Sequence, residues 1–486
     1  MSEAQRSIVI HGHFYQPPRE SPWTGLIAPE PSAAPFSNWN ERITSECYGA
    51  NAHAPVSAGS VIHLRNNYEH LSCDFGPTLM GWMQRHGKQA YGAIVRADAL
   101  SAQRLGGQGN TLAQSYNHSI LPLLLDADKE LQIAWGIEDF RFRFKRLPVG
   151  IWLPECAADP ATLAAVARAG IKFVILAPWQ GRFQAATADE SAGAGPFVWR
   201  SDDLSLAVFR YDRELSSQVA FGDALVDGER WADAIIARAR GLAPGATLLI
   251  ATDGETFGHH KRHGAAELAR AFDRLAREPD LSITNCAEVL QRVAPAGNFT
   301  LEGVTSWSCA HGVERWRSDC GCRLSEGTSQ SWRAPLREAM EFVKTQVDTV
   351  YAREAASVLA DPRAALLESI GLALDPSPAL AEQFFIRYKV GEEAARARLQ
   401  ALFEMQRAAQ AAFTSCAWFF DDFAGLEGRI VLRWAARAVE LAAFFSPSIE
   451  PELLERLRGL HSNRRESGDG ATLYLSLKAR EPRVRS

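Results

Sequence analysis

Two short segments place carboxylic acids where chemistry can be done. Ala251-Thr252-Asp253-Gly254-Glu255-Thr256-Phe257-Gly258-His259-His260 sets two acids and two histidines directly behind the apolar run Leu248-Leu249-Ile250. In a parallel β/α architecture, the loops that collect binding and catalytic groups lie just past the carboxyl ends of the strands. The plainer use of such acids is a helix start, with Asp253 or Thr252 as cap and Glu255 complementing the dipole. The segment Val149-Gly150-Ile151-Trp152-Leu153-Pro154-Glu155-Cys156-Ala157 repeats the pattern with one carboxylate beside a tryptophan, before Pro160 opens a helix. Glycoside cleavage uses two carboxyl groups flanking the scissile bond, so Glu155 is a candidate nucleophile under a sugar ring or, alternatively, a helix-start acid.

Behind the first apolar run, Ile10-His11-Gly12-His13-Phe14-Tyr15-Gln16-Pro17-Pro18 brings two histidines and a glutamine to the same face. His11 and His13 can be a metal pair or donors to sugar hydroxyls. Gln114, Asn117 and His118 precede the apolar run to Leu124, which reads as a core helix. Cys309, His311, Cys320 and Cys322 offer three thiols and an imidazole, enough for tetrahedral zinc. The same stretch, interleaved with Trp307, Arg315, Trp316 and Asp319, equally suits a loop of free thiols lining a sugar cleft or, least of all, a disulfide.

The elements that must position these groups follow from periodicity. Short β-rich runs at Ser7 to Ile10, Phe173 to Leu176, Leu206 to Arg210, Leu248 to Thr252 and Ile283 to Thr284 alternate with helical patterns such as Pro160 to Gly170 and Ala265 to Arg277. That alternation predicts a parallel sheet with helical crossovers. Beyond about residue 325 strand signals fade, and Trp332 to Leu359, Pro362 to Leu374, Glu392 to Thr414 and Arg429 to Phe445 carry helical spacing. The expected organisation is a β/α barrel over 1–300, a Trp/Cys-rich cleft segment over 301–325 and a helical domain over 326–486.

With 486 residues, 47% hydrophobic, the chain can bury a large core. A net charge of −5, from 52 basic and 57 acidic residues, argues against a nucleic-acid or anionic-membrane partner. No apolar run approaches the roughly 20 residues of a membrane span or the pattern of a signal peptide, and eight scattered cysteines suit a reducing compartment, so a cytoplasmic location is expected.

Taken in order, these segments resemble glycoside hydrolase family 57, which contains α-amylases, 4-α-glucanotransferases and glucan branching enzymes on an incomplete (β/α)7 barrel. His11 to Pro17 resembles that family's opening motif, and Tyr116 to Leu124 resembles its Tyr-Tyr-His-Pro-Ile-Leu-Pro-Leu region. Trp152 to Glu155 matches the nucleophile segment, Asp253 to Gly258 the acid/base segment, and Ser306-Trp307 through Trp316 the Ser-Trp-Gly…Trp pattern. The chain is similar to the branch with the signature Trp-Ser-Cys-Ala-His-Gly-Val-Glu-Arg-Trp. The resemblance implies an α/β fold with a mainly helical C-terminal domain, a retaining mechanism with Glu155 as nucleophile and Asp253 as acid/base, and an α-glucan or maltooligosaccharide substrate. Sugar contacts are implied for His11, His13, Gln16, His118, Trp152, Glu255, His259, Trp307 and Trp316, with no metal or other cofactor. Ala113-Gln114, Asn117, Ser119 and His259-His260 depart from the family pattern, which leaves open which glucan and which acceptor are used. The alternatives are a metal-dependent polysaccharide deacetylase, in which His11, His13, Asp253, His259, His260 and His263 hold the ion, and a carbohydrate-binding protein without turnover.

Overall fold

A computed structural model describes residues 5–58, 61–185 and 193–481. Two compact units are present. The first comprises 1–16, 29–115 and 140–307, and the second 17–28, 116–139 and 308–486. The division departs from sequential cuts at 300 and 325 in two excursions. Residues 17–28 and 116–139 pack with the helical half because their partners lie there: Trp434 donates to the Pro18 carbonyl at 3.0 Å, and Gln132 donates to Gln410 at 3.0 Å.

The first unit is built on parallel strands in the order Thr247–Asp253, Arg6–Phe14, Ser72–Phe75, Thr111–Gln114, Ile151–Trp152, with Leu281–Ile283 also paired to Arg6–Phe14. A parallel bridge from Gly150 to Phe173 continues the path to Phe173–Leu176 and its parallel neighbour Leu204–Arg210. These strands are the parallel sheet that the alternation predicts, curled into the incomplete β/α barrel that the family resemblance implies. Strands buried on both faces read as continuous apolar runs, and Ile8, Val9, Ile10, Leu249 and Ile250 are all fully buried. Crossover helices such as Pro160–Arg168 and Gly264–Leu275 fall within a few residues of their expected places, the former capped by Asp159 on the Thr162 amide.

In the second unit, Arg333–Ala356, Glu393–Ala411 and Leu426–Ala443 pack on one another, as the helical spacing predicts. The run before Leu124 differs from expectation: it is a single 3-10 turn, Leu121–Leu123, because Pro122 offers no amide to extend it. Among the described residues, no helix is long and apolar enough to cross a membrane.

Candidate active site

Register brings the chemistry-bearing residues together. His13 pairs with Asp253 across the Arg6–Phe14 and Thr247–Asp253 strands, and Gln114 pairs with Trp152 further along the sheet. All these residues sit at carboxyl ends of parallel strands, on one rim of the first unit. The backbone behind Asp253 packs closely, since a Cβ on Gly254 would lie 2.3 Å from the Phe14 ring.

Asp74, a residue without a motif around it, organises this rim. Its carboxylate accepts from His11 Nε2 at 3.0 Å and His13 Nδ1 at 2.8 Å, and also from Gln114 Nε2. The other ring nitrogen of His11 meets Ser72 Oγ at 3.0 Å, so both of its nitrogens are engaged inside the protein. Burial pushes the Asp74 carboxyl up, but His13 and His11 outweigh it and hold it below its ordinary range. For His13, burial disfavours the cation, yet the Asp74 carboxylate, helped by Asp253 and Glu255, lifts the imidazole to about 9. His11 is lowered, chiefly by burial. The rim at neutral pH is therefore a neutral His11, an anionic Asp74 and a cationic His13. Both imidazoles stack on Trp152 at 4.8 and 5.0 Å between centroids. The Trp152 ring, expected among the sugar contacts, is fully buried beneath them.

Glu155 sits in the turn after Ile151–Trp152 with φ 58° and ψ 23°, and Cys156 follows with φ 47°. Two consecutive left-handed non-glycine residues each cost on the order of 1 kcal/mol, a strain that persists only where the surroundings over-determine it. Those surroundings are specific. Gln180, fully buried, donates to the Cys156 carbonyl at 2.6 Å and to Thr305 at 3.1 Å, and the Trp307 amide donates to the Glu155 carbonyl at 3.0 Å. The Trp307 indole N–H then donates to the Glu155 carboxylate at 3.0 Å, leaving its half-buried ring edge-on to Trp152 and His13.

Asp253 is open to solvent on one side and enclosed by protein on the others. That enclosure raises its carboxyl to about 6, with the Glu155 and Asp74 charges adding and the His13 cation opposing. Glu255 accepts from the Tyr48 hydroxyl at 2.7 Å and the Tyr15 amide at 3.2 Å. Burial pushes it to about 7, against the pull of Tyr48 and His13. Gln16 is buried in the same unit, its side chain bonded to the Tyr48 phenol and its carbonyl accepting from Thr78 at 3.1 Å. His259 bonds Glu46 at 2.5 Å and meets Trp39 edge-on.

Two of the expected residues lie in the second unit. His118, with φ 55°, bonds Ser415 Oγ at 2.7 Å, and Trp316 is fully buried in a 3-10 turn against Arg333–Ala356 and Cys416–Phe419. Sequence reasoning passed over Asp74, Tyr48 and an aromatic row that leads on from Trp307. Tyr211 stands 6.5 Å from Trp307, Trp179 stands 5.9 Å from Tyr211, and both line a cavity of about 300 Å³.

Asp74 also gives a test of the rim's wiring. Asp74→Asn leaves a cationic His13 buried without its counter-charge and is expected to cost about 3 kcal/mol in urea unfolding near pH 6. A His13 raised to about 9 contributes stability that is complete below its unfolded value of 6.5 and is lost as pH rises through about 9. The cost of the substitution is expected to shrink over that interval, and a cost that stays constant from pH 6 to 10 would refute the ion pair.

Residues 101–302 match the family model described as glycosyl hydrolase family 57, and residues 329–481 match a domain of unknown function, DUF3536. Alpha-amylase 1 of Dictyoglomus thermophilum is 24% identical over 153 residues, 32% of this chain, and the chain spans only 21% of that relative's length. An exo-type maltose-forming amylase from Pyrococcus sp. ST04 superposes with a TM-score of 0.69 at 15% identity, covering 98% of this chain and 83% of that one. A family 57 branching enzyme from Thermococcus kodakaraensis superposes at 0.57 and 14% identity, covering 98% and 94%. A 4-alpha-glucanotransferase from Thermococcus litoralis superposes at 0.55 and 15%, covering 91% and 60%. Residues 101–302 thus match glycosyl hydrolase family 57, and the fold is that of solved enzymes of that family.

Proposed function

We propose that the protein is a retaining glycoside hydrolase or transglycosylase acting on α-linked glucans, with Glu155 as nucleophile and Asp253 as acid/base. The observation that carries this reading is the strained, Trp307-bound Glu155 together with an Asp253 whose carboxyl is raised to about 6 by burial, with the Glu155 charge adding to it. One carboxylate is fixed for attack and the other is poised to be protonated, the division of labour that glycoside cleavage requires. In the first step a Glu155 oxygen bonds to the anomeric carbon, the glycosidic C–O bond breaks, and the Asp253 proton passes to the leaving oxygen. In the second, Asp253 takes a proton from water or a sugar hydroxyl, whose oxygen displaces Glu155.

His13, Glu255 and Trp307 are the groups placed to meet the sugar at the cleavage point. His11, with both nitrogens engaged, acts through Asp74 as a positioning residue. Incubation with maltooligosaccharides, followed by NMR of the first products, tests the reading. An initially α-configured product supports it, and an initially β-configured one refutes retention. Absence of any turnover on α-glucans would overturn the function.

The row Trp307, Tyr211, Trp179 is read as a stacking path for further sugar units, since aromatic faces receive pyranose rings. Trp179 is 46% exposed and carries no part of the core. Trp179→Ala is therefore expected to raise KM for long maltooligosaccharides by about three- to tenfold while leaving maltotriose little changed. An equal effect on both lengths would remove Trp179 from the path.

A further inference from the structure

Between Ser308 and Trp332 the backbone forms one 3-10 turn, Glu314–Trp316, and otherwise has no helix or strand. Within it four side chains converge. The ligand atoms of Cys309, His311, Cys320 and Cys322 all lie within 4.8 Å of one another. The Cys309 sulfur is 3.9 Å from that of Cys320 and 3.9 Å from that of Cys322, and the Cys322 sulfur is 3.6 Å from His311 Nδ1.

These separations identify the arrangement. A disulfide holds its sulfurs about 2.05 Å apart. A tetrahedral zinc ion, with Zn–S near 2.3 Å and Zn–N near 2.05 Å, sets its ligands about 3.8 Å (S to S) and about 3.6 Å (S to N) from each other. Three of the six edges match the tetrahedron and none exceeds 4.8 Å, a set of separations that an ion at the centre would draw in only slightly. We propose that Cys309, His311, Cys320 and Cys322 form a structural zinc site. Four protein ligands close the coordination sphere and leave no position for a water or substrate, so the ion's role is to hold the loop. This site is independent of the glucan chemistry proposed for the first unit.

The surroundings fit the ion. Gly321, at φ 82°, makes the left-handed turn that returns Cys322 beside Cys320, and Asp319 accepts its amide at 3.2 Å. Three thiolates, a neutral imidazole and Zn²⁺ leave one net negative charge in the loop. Arg333 is fully buried and donates Nη1 to the Cys322 carbonyl at 2.8 Å, while its Nε and Nη2 have no hydrogen-bond partner among the described residues. A buried cation needs compensating charge, and an anionic zinc–thiolate centre adds to what the Asp421 carboxylate supplies.

The test is metal analysis of the full chain purified in reducing buffer without chelator. About one zinc per chain is expected, falling to near zero in Cys320→Ser or Cys322→Ser and staying near one in Cys286→Ser, a buried thiol of the first unit. Replacement by Co²⁺ is expected to give the thiolate-to-cobalt charge-transfer absorption of a tetrahedral site. If the serine variants do not fold, His311→Ala decides: His311 is exposed, so its loss leaves packing intact and is expected to make zinc leave during dialysis against a chelator that the wild type resists. Sub-stoichiometric zinc in the wild type with all eight thiols free on denaturation, or fewer than eight through a disulfide within the cluster, would overturn the proposal.

Discussion

Glu155→Gln is expected to lower kcat on maltooligosaccharides by about 10⁴-fold, the scale on which removing a covalent nucleophile acts, with little change in thermal stability. The amide retains an acceptor for the Trp307 indole, now at 3.0 Å from the carboxylate, and has the same backbone cost in the left-handed turn. What it loses is the charge that attacks the anomeric carbon. A smaller variant, Glu155→Gly, opens space for an external anion, and azide is expected to restore turnover by attacking from the vacated side. One inversion then replaces two, so the rescued product from an α-linked substrate is a β-glycosyl azide, identifiable by NMR. Rescue giving an α-azide, or a Glu155→Gln enzyme within tenfold of the wild type, would remove Glu155 from the nucleophile's place.

Much of the scaffold was legible because the barrel strands are buried on both faces. Phe173–Leu176 is an unbroken apolar run, and Thr247–Asp253 ends in the acid that the run delivers to the rim. Asp253, Glu255 and Glu155 drew notice in the sequence for the same reason, each lying at or just past the end of a strand. Asp74 did not. Its strand, Ser72–Phe75, is only four buried residues without alternation, although Gly76-Pro77 closes it, and its partners His11, His13 and Gln114 come from two other strands. A run this short before a Gly-Pro stop does not declare itself a strand, and a charged residue between Cys73 and Phe75 reads as a loop acid until the sheet is assembled. The excursions of 17–28 and 116–139 were hidden likewise. The bond from Trp434 to Pro18 joins residues 416 positions apart, and no periodic pattern reports such a contact.

Asp253→Asn is expected to reduce kcat by on the order of 10³-fold on substrates with poor leaving groups and much less on activated aryl glycosides, whose leaving oxygen needs no proton. The pH dependence carries the sharper test. Glycosylation needs Asp253 protonated, so with its carboxyl at about 6 the rate falls as pH rises through that value. Beyond burial and the Asp74 charge, two charges act on it in opposite directions: the Glu155 anion raises it and the His13 cation lowers it. His13→Asn keeps a donor near the Nδ1 position for Asp74 and removes the positive charge, so the basic limb of kcat/KM is expected to move to higher pH even as the rate falls. A limb that stays in place, or moves down, would separate His13 from the acid. The other charge drives the catalytic cycle itself. When Glu155 becomes an ester of the bound sugar its negative charge is gone, so the part of the rise in Asp253 that this charge added to burial is withdrawn, and the carboxyl becomes more acidic. The residue that donated a proton to the leaving group is then left as the carboxylate that must accept one from water or an incoming hydroxyl, so the nucleophile's own chemistry switches its partner from acid to base.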